Sequence, residues 1–137
     1  TLSALRIAAL SGVHVQLILS ASNNQRLTAW AQDSYYDELL ASGVRIALYR
    51  PHFLHAKHLS VDDDIALVGS INLDIRSFAL NAEIGLLCYD RDVVARMREV
   101  EAGYLADADS LGLGQWRRRP AWRRSREGIA RLADSLM

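Results

Sequence analysis

The stretch His55-Ala56-Lys57-His58-Leu59-Ser60-Val61-Asp62-Asp63-Asp64-Ile65-Ala66-Leu67-Val68-Gly69-Ser70-Ile71-Asn72 places three consecutive aspartates between two β-rich runs. Turn-forming polar residues between such runs predict a hairpin, with an extended segment running to Val61 and Ile65 to Val68 as its return. Side chains alternate across a strand, so His55 and Lys57 are expected to share one face. If the return strand continues, Ser70 and Asn72 share one as well. Gly69 lets a neighbouring backbone come close.

Lys57 is the only lysine among sixteen basic residues, the other fifteen being arginine. The spacing around it is H-x-K-x4-D-x6-G-S-x-N, complete from His55 to Asn72. Six fixed identities at about one in twenty each give odds on the order of one in a million for a chain of this length. The pattern resembles the catalytic motif of the phospholipase D superfamily, whose members cleave or exchange phosphodiester bonds through a histidine-bound intermediate.

The residue types suit that chemistry. A phosphodiester passing through a trigonal-bipyramidal state spreads negative charge over its non-bridging oxygens, and fixed donors stabilise that state more than the ground state. Lys57 supplies a cation, Ser70 and Asn72 two neutral donors. His55 supplies an imidazole, a group that serves as a neutral nucleophile or, protonated, as an acid for a leaving alkoxide. Glu83 is the only carboxylate in Leu80-Asn81-Ala82-Glu83-Ile84-Gly85-Leu86-Leu87, a run otherwise fit for a buried strand. An unpaired charge is costly there, which suggests a partner such as His55, with a strand-end surface charge as the alternative. Asp62 begins the turn at an odd offset from His55 and is read as holding the hairpin.

The flanks narrow the resemblance. Asn72-Leu73-Asp74-Ile75-Arg76-Ser77-Phe78-Ala79-Leu80-Asn81-Ala82-Glu83 is similar to the segment after the second such motif in bacterial cardiolipin synthases. So are Ser34-Tyr35-Tyr36-Asp37-Glu38-Leu39-Leu40, Gly43-Val44-Arg45-Ile46, Arg50-Pro51, residues 99–105 and Trp116-Arg117-Arg118-Arg119-Pro120. The resemblance implies that His55, Lys57, Asp62, Ser70, Asn72 and Glu83 occupy catalytic positions. The implied reaction joins two phosphatidylglycerol molecules into cardiolipin and glycerol, with no metal and no cofactor. It also implies a site built from two such halves on a pseudo-twofold axis, one histidine acting as nucleophile and the other as acid and base. This chain carries one motif, starts at Thr1, and is expected to be the C-terminal half of a longer protein.

Periodicity gives an α/β class: a mixed β-sheet flanked by helices, the α/β/α sandwich that the resemblance also implies. Leu2, Leu5 and Ala9 mark a helix before Gly12, and Val13 to Leu19 reads as a buried strand. A helix from about Gln25 to Ser42 carries Leu27, Trp30, Ala31, Tyr35 and Leu39 on one face and stops at Gly43; Val44 to Leu48 is the next strand. Asp92 begins a helix with Val93, Met97, Val100 and Tyr104 on one face. His14 and His58, which alternates away from Lys57, are read as structural or surface histidines.

At 137 residues, half of them hydrophobic, one core is expected. Residues 1–115 are assigned to the catalytic domain and 116–137 to a basic, Arg/Trp-rich tail helix packed on or extending that domain. Formal net charge is zero, yet from Trp116 onward seven arginines accompany only Glu127 and Asp134. Trp116 and Trp122 among these arginines suit indoles at headgroup depth with guanidinium groups on lipid phosphates. Ion pairing with acidic residues elsewhere is the plainer alternative, and a nucleic-acid backbone a third. No run approaches the roughly twenty apolar residues of a spanning helix. Cys88 reads as a buried thiol, consistent with a catalytic domain on the cytoplasmic side of a bacterial inner membrane, its anchors lying upstream.

The partners expected are therefore phosphatidylglycerol or another phosphodiester, an N-terminal motif-bearing half or a second copy of the chain, and an anionic membrane surface. Two other functions fit the same residues. One is a homodimeric phosphodiesterase, either a phospholipase D or a nuclease; the other is a catalytically incomplete half that binds phosphate or lipid.

Overall fold

In the computed structural model, residues 2–22, 35–72 and 82–119 are described. Their contacts gather into two compact units, residues 2–54 with 108–119, and residues 55–107. The α/β class read from the sequence is what the structure shows, its strands forming one mixed and one antiparallel three-stranded sheet.

The first unit contains α1 (Leu2–Leu10), β1 (Gln16–Ser20), a helical segment α2 (residues 35–41) and β2 (Arg45–Tyr49). β1 and β2 run parallel, with Gln16 opposite Arg45 and Ser20 opposite Tyr49. Parallel neighbours need a crossover, and the segment containing α2 provides it. The predicted stop at Gly43 is present: its φ is +91°, its N–H bonds the Leu40 carbonyl, and the Val44 N–H reaches back to Leu39 at 3.1 Å. This is a Schellman cap, and a Cβ at Gly43 would meet open space, so only the backbone resists substitution. Gly43→Ala is expected to lower unfolding free energy by about 1–2 kcal/mol, read from a urea transition with unchanged m-value. Of the residues expected on this helix's apolar face, Leu39 is buried and Tyr35 half-buried; Leu27, Trp30 and Ala31 lie outside the described residues.

One element of this unit went unread in the sequence, β6 (Ala108–Leu111), antiparallel to β2, and the helix that follows it, Leu113–Arg117, begins three residues before the expected tail helix. The core of this unit is Tyr36, Leu39, Val44, Ile46 and Trp116. Trp116 corrects the membrane reading for that residue. It is only 8 % exposed, its ring centroid 4.9 Å from that of Tyr36, and the Arg119 guanidinium lies over its outer face. Arg117 donates to both Asp37 carboxylate oxygens at 2.8 and 3.0 Å. Asp37 holds the Arg117 guanidinium above its ordinary pKa through that hydrogen bond and its charge. The plainer alternative, pairing with acidic groups, therefore applies to the start of the basic segment; Trp122 lies outside the described residues.

The second unit contains β3 (His58–Val61), β4 (Ile65–Gly69), β5 (Gly85–Cys88) and α3 (Arg91–Ala106). β3 and β4 form the expected hairpin, His58 opposite Val68 and Val61 opposite Ile65. β5 extends the sheet antiparallel to β4. α3 begins one residue before the predicted Asp92, because the Asp90 carboxylate caps it by accepting from the N–H groups of Asp92 and Val93.

The inward stripe of α3 keeps Met97 and Tyr104 from the predicted face and takes Val94 and Glu101 in place of Val93 and Val100. Val94 is fully buried, Met97, Glu101 and Tyr104 are half-buried, and Val93 and Val100 are exposed. Glu101 takes the inward position because β3 offers it partners. Ser60 Oγ donates to its carboxylate, and His58 Nε2 lies 3.3 Å from Oε1 while its ring stacks on Tyr104.

Two strands read as buried are less so. β1 is half-buried throughout, since it is an outer strand of its sheet. In β5, Leu86 and Leu87 are exposed and Cys88 is half-buried, with Ile84 just before it exposed too. Among the described residues β5 hydrogen-bonds to β4 alone.

Candidate active site

The hairpin carries the motif, but its regular ladder starts late. β3 begins at His58, so His55 and Lys57 precede the strand on which they were expected to alternate. One ladder bond still reaches the motif, from the Gly69 N–H to the Lys57 carbonyl at 3.1 Å. Lys57 Nζ donates to the His55 carbonyl at 2.9 Å. The ammonium therefore lies against the histidine's own backbone, while the His55 side chain is on an exposed residue.

At the turn, Asp62 has φ +50°, in the left-handed region that aspartate tolerates better than most residues. Asp63 and Asp64 are exposed and sit near Arg98 and Arg91, at 3.7 and 3.5 Å. Exposed pairs of this length add little energy. What fixes the hairpin is its ladder and the contact of His58 and Ser60 with Glu101.

The other end of the hairpin is tighter. A Cβ built on Gly69 would lie 2.2 Å from the Ile84 carbonyl oxygen and 2.9 Å from Gly85 Cα, both backbone atoms. Glycine is what allows β4 and β5 to close at this level. Just beyond it, the Ser70 N–H donates to the Ile84 carbonyl at 2.9 Å, the Ile84 N–H returns a bond to Ser70 Oγ at 3.1 Å, and Ser70 Oγ donates to Glu83 Oε2.

The structure thus brings Ser70 and Glu83 together across the end of the sheet. Glu83, half-buried, has a polar partner, as its place in an apolar run required, and that partner includes Ser70. Asn72 is half-buried beyond the end of β4, where alternation no longer applies because regular strand stops at Gly69. The backbone of Ile84, which holds Ser70 on both sides, was not singled out in the sequence. No residue-type signal marks it, since its N–H and C=O are common to almost every residue.

Elsewhere, a cavity between α1 and α2 is lined by Leu2, Ser3, Arg6, Tyr35, Glu38 and Leu39. Arg6 and Glu38 pair there at 2.8 Å and largely cancel one another's charge, and no motif residue enters it. Among the described residues, no group of His, Cys, Asp or Glu is arranged to hold a metal ion. The chemistry available at the hairpin is that of an imidazole, an ammonium, an amide and a hydroxyl-bound carboxylate.

Residues 1–101 match the family model described as cardiolipin synthase, PLD-like domain. Cardiolipin synthase A of Cronobacter sakazakii is 40% identical over 136 residues, covering 99% of this chain and 28% of its own length. Cardiolipin synthase 2 of Bacillus anthracis is 36% identical over 136 residues, with 99% and 26% covered. The chain thus spans little more than a quarter of the length of these relatives. Among solved structures, a phospholipase D family member, Nuc from Salmonella typhimurium, superposes with a TM-score of 0.68 at 18% identity, covering 81% of this chain and 72% of that one. At that identity the likeness is one of fold.

Proposed function

Because the chain belongs to the phospholipase D-like domain family of cardiolipin synthases, we propose that it is one catalytic half of a phosphatidyltransferase that makes cardiolipin and glycerol from two phosphatidylglycerol molecules. The observation that carries this reading is the motif-bearing hairpin, whose open end, opposite the turn, gathers Lys57, with His55 just before it, and Ser70, with Asn72 just after it, the Gly69 N–H bonding the Lys57 carbonyl and Glu83 fastened to Ser70.

In the first step, a histidine nitrogen attacks phosphorus, the bond from phosphorus to the glycerol oxygen breaks, and the second histidine gives its proton to the leaving oxygen. In the second, the acceptor's hydroxyl passes its proton to that same histidine and attacks phosphorus, breaking the P–N bond. His55, an exposed residue, takes the acid and base role. Lys57 balances charge on the non-bridging oxygens, and Asn72 adds a neutral donor. Asp62 serves the turn. The second histidine comes from another motif-bearing half, either in the same protein or in a second copy. Ping-pong kinetics follow from the covalent intermediate.

Residues 1–115 form the catalytic portion and 116–137 a basic extension that starts packed against it, through Trp116 on Tyr36. No described helix is long and apolar enough to cross a membrane. We place the domain at the cytoplasmic face of the bacterial inner membrane, where its phospholipid substrates lie, with the arginines of the basic extension toward anionic headgroups.

The test is product analysis with phosphatidylglycerol vesicles carrying label in the headgroup glycerol, using the chain together with an N-terminal motif-bearing half. Labelled glycerol released with stoichiometric cardiolipin is the expected result. Phosphatidic acid as the product would make the protein a hydrolase. Cleavage of DNA by the chain alone, with no lipid turnover, would make it a homodimeric nuclease.

A further inference from the structure

Glu101 reaches from α3 to the first strand of the hairpin, its side chain 15 % exposed and that of His58 13 %. Both oxygens of its carboxylate are engaged. Ser60 Oγ donates to Oε1, His58 Nε2 lies 3.3 Å from the same oxygen, and Arg98 Nη1 donates to Oε2 at 3.2 Å. A shielded carboxylate is costly unless donors meet it, and a satisfied polar network holds its members more rigidly than apolar packing does. Two of the three partners belong to β3, whose ladder runs to β4 alone among the described residues. That four-residue ladder fixes β3 within the sheet and leaves it free to tilt out of it. Leu59 and Val61, the alternate side chains of β3, are exposed and restrain it little.

We infer that Glu101 is a positioning residue for the reaction: by holding β3 through Ser60 and His58, it sets the peptide from which Lys57 projects. The link is short. The Lys57 carbonyl and the His58 N–H belong to one planar peptide group, so fixing His58 fixes the direction of that carbonyl. The carbonyl accepts the Gly69 N–H at 3.1 Å, the one ladder bond that reaches the motif from β4. Glu101 itself stays on the α3 side of the sheet and touches no motif residue among the contacts above. This inference rests on the catalytic reading of the motif.

Hydrogen exchange on the 137-residue chain reads the link without turnover. The Gly69 N–H bonds the Lys57 carbonyl, whereas the neighbouring Ser70 N–H bonds the Ile84 carbonyl. The ratio of their protection therefore reports the hold on β3 and cancels changes in overall stability. Glu101→Ala is expected to lower that ratio at least about fivefold. Arg98→Ala, which leaves Oε1 and its partners in place, should keep it within twofold. Ser60→Ala, which leaves the helix position filled, should lower it at least about threefold and carries the test if Glu101→Ala does not fold. A ratio within twofold of wild type in the folded variant would overturn the inference.

Kinetics of the paired enzyme separate positioning from stability alone. At a temperature where the variant is fully folded, Glu101→Ala is expected to lower kcat about tenfold with KM within twofold, the mark of misaligned groups. Glu101→Gln, whose amide oxygen still accepts from Ser60, should recover the rate to within about threefold of wild type. If Glu101→Ala lowers the melting temperature and leaves kcat within twofold, the contact is structural only and the inference is wrong. Full lipid turnover by His55→Ala would instead defeat the catalytic reading, and it would leave the exchange ratio untouched.

Discussion

Gly69→Ala is expected to cost the hairpin its closure on β5 and the enzyme about a hundredfold in kcat. The added methyl would sit 2.2 Å from the Ile84 carbonyl oxygen and 2.9 Å from Gly85 Cα. Both are backbone atoms, so no rotamer change relieves the overlap, and one strand must move by roughly an ångström. Forced overpacking of this kind costs about 1–3 kcal/mol. Weakened bonds between Ser70 and Ile84 add to it, at about 1 kcal/mol each.

The larger effect is on the site. Displacement by about 1 Å is enough to cost on the order of a hundredfold in rate where groups must be aligned. Here it moves Ser70 away from Glu83. Gly85→Ala is the control. Its methyl would meet the Leu67 and Ile71 Cδ1 atoms at 3.2 and 3.3 Å, side-chain ends that can turn aside. That variant is expected to keep activity within threefold and stability within about 1 kcal/mol. The two glycines face one another across β4 and β5, so equal behaviour of the variants, measured by circular dichroism melts and initial rates, would show that the close approach is not what Gly69 supplies.

Much of this arrangement is legible in the residues. Asp62-Asp63-Asp64 between β-branched and aliphatic runs leaves the chain little choice but to turn, and Gly43 after an apolar-periodic stretch is the ordinary end of a helix. The closeness at Gly69 is readable too, since a glycine inside a strand pattern signals that another backbone comes near.

What the residues do not reveal is settled by contacts distant in sequence. Trp116 among arginines has the composition of a membrane-facing segment, and only the packing of Tyr36, some eighty residues earlier, makes it part of a core. On α3 the apolar residues alone point to Val93 and Val100, because nothing in the helix tells that Ser60 and His58 are waiting for Glu101. β6 carries Asp109 and Ser110 in four residues, a poor strand signal that its ladder to β2 overrides.

The same holds within the site. Residue types identify the imidazole, the ammonium and the donors, and say nothing of where each proton goes. His55 and Glu83 stand twenty-eight residues apart, and a carboxylate in an apolar run is sure to need a partner without naming it. That Ser70 is one such partner follows from the register of β4 on β5, which places Gly69 opposite Gly85.

Replacing His55 tests the central claim most directly. In the paired enzyme, every covalent or proton-transfer step proposed passes through two imidazoles, and loss of a positioned acid and base alone removes about 10²–10⁴-fold in rate. His55→Ala is therefore expected to lower cardiolipin formation by at least about 10³-fold. Because His55 is exposed and precedes the regular strand, the melting temperature should stay within a few degrees, so a lost rate reports chemistry and not unfolding. The measurement is headgroup-labelled glycerol released from phosphatidylglycerol vesicles by wild type and variant at matched concentration of folded protein. The account requires release to vanish with His55. Release by His55→Ala at more than a tenth of the wild-type rate would contradict it and remove the hairpin from the chemistry.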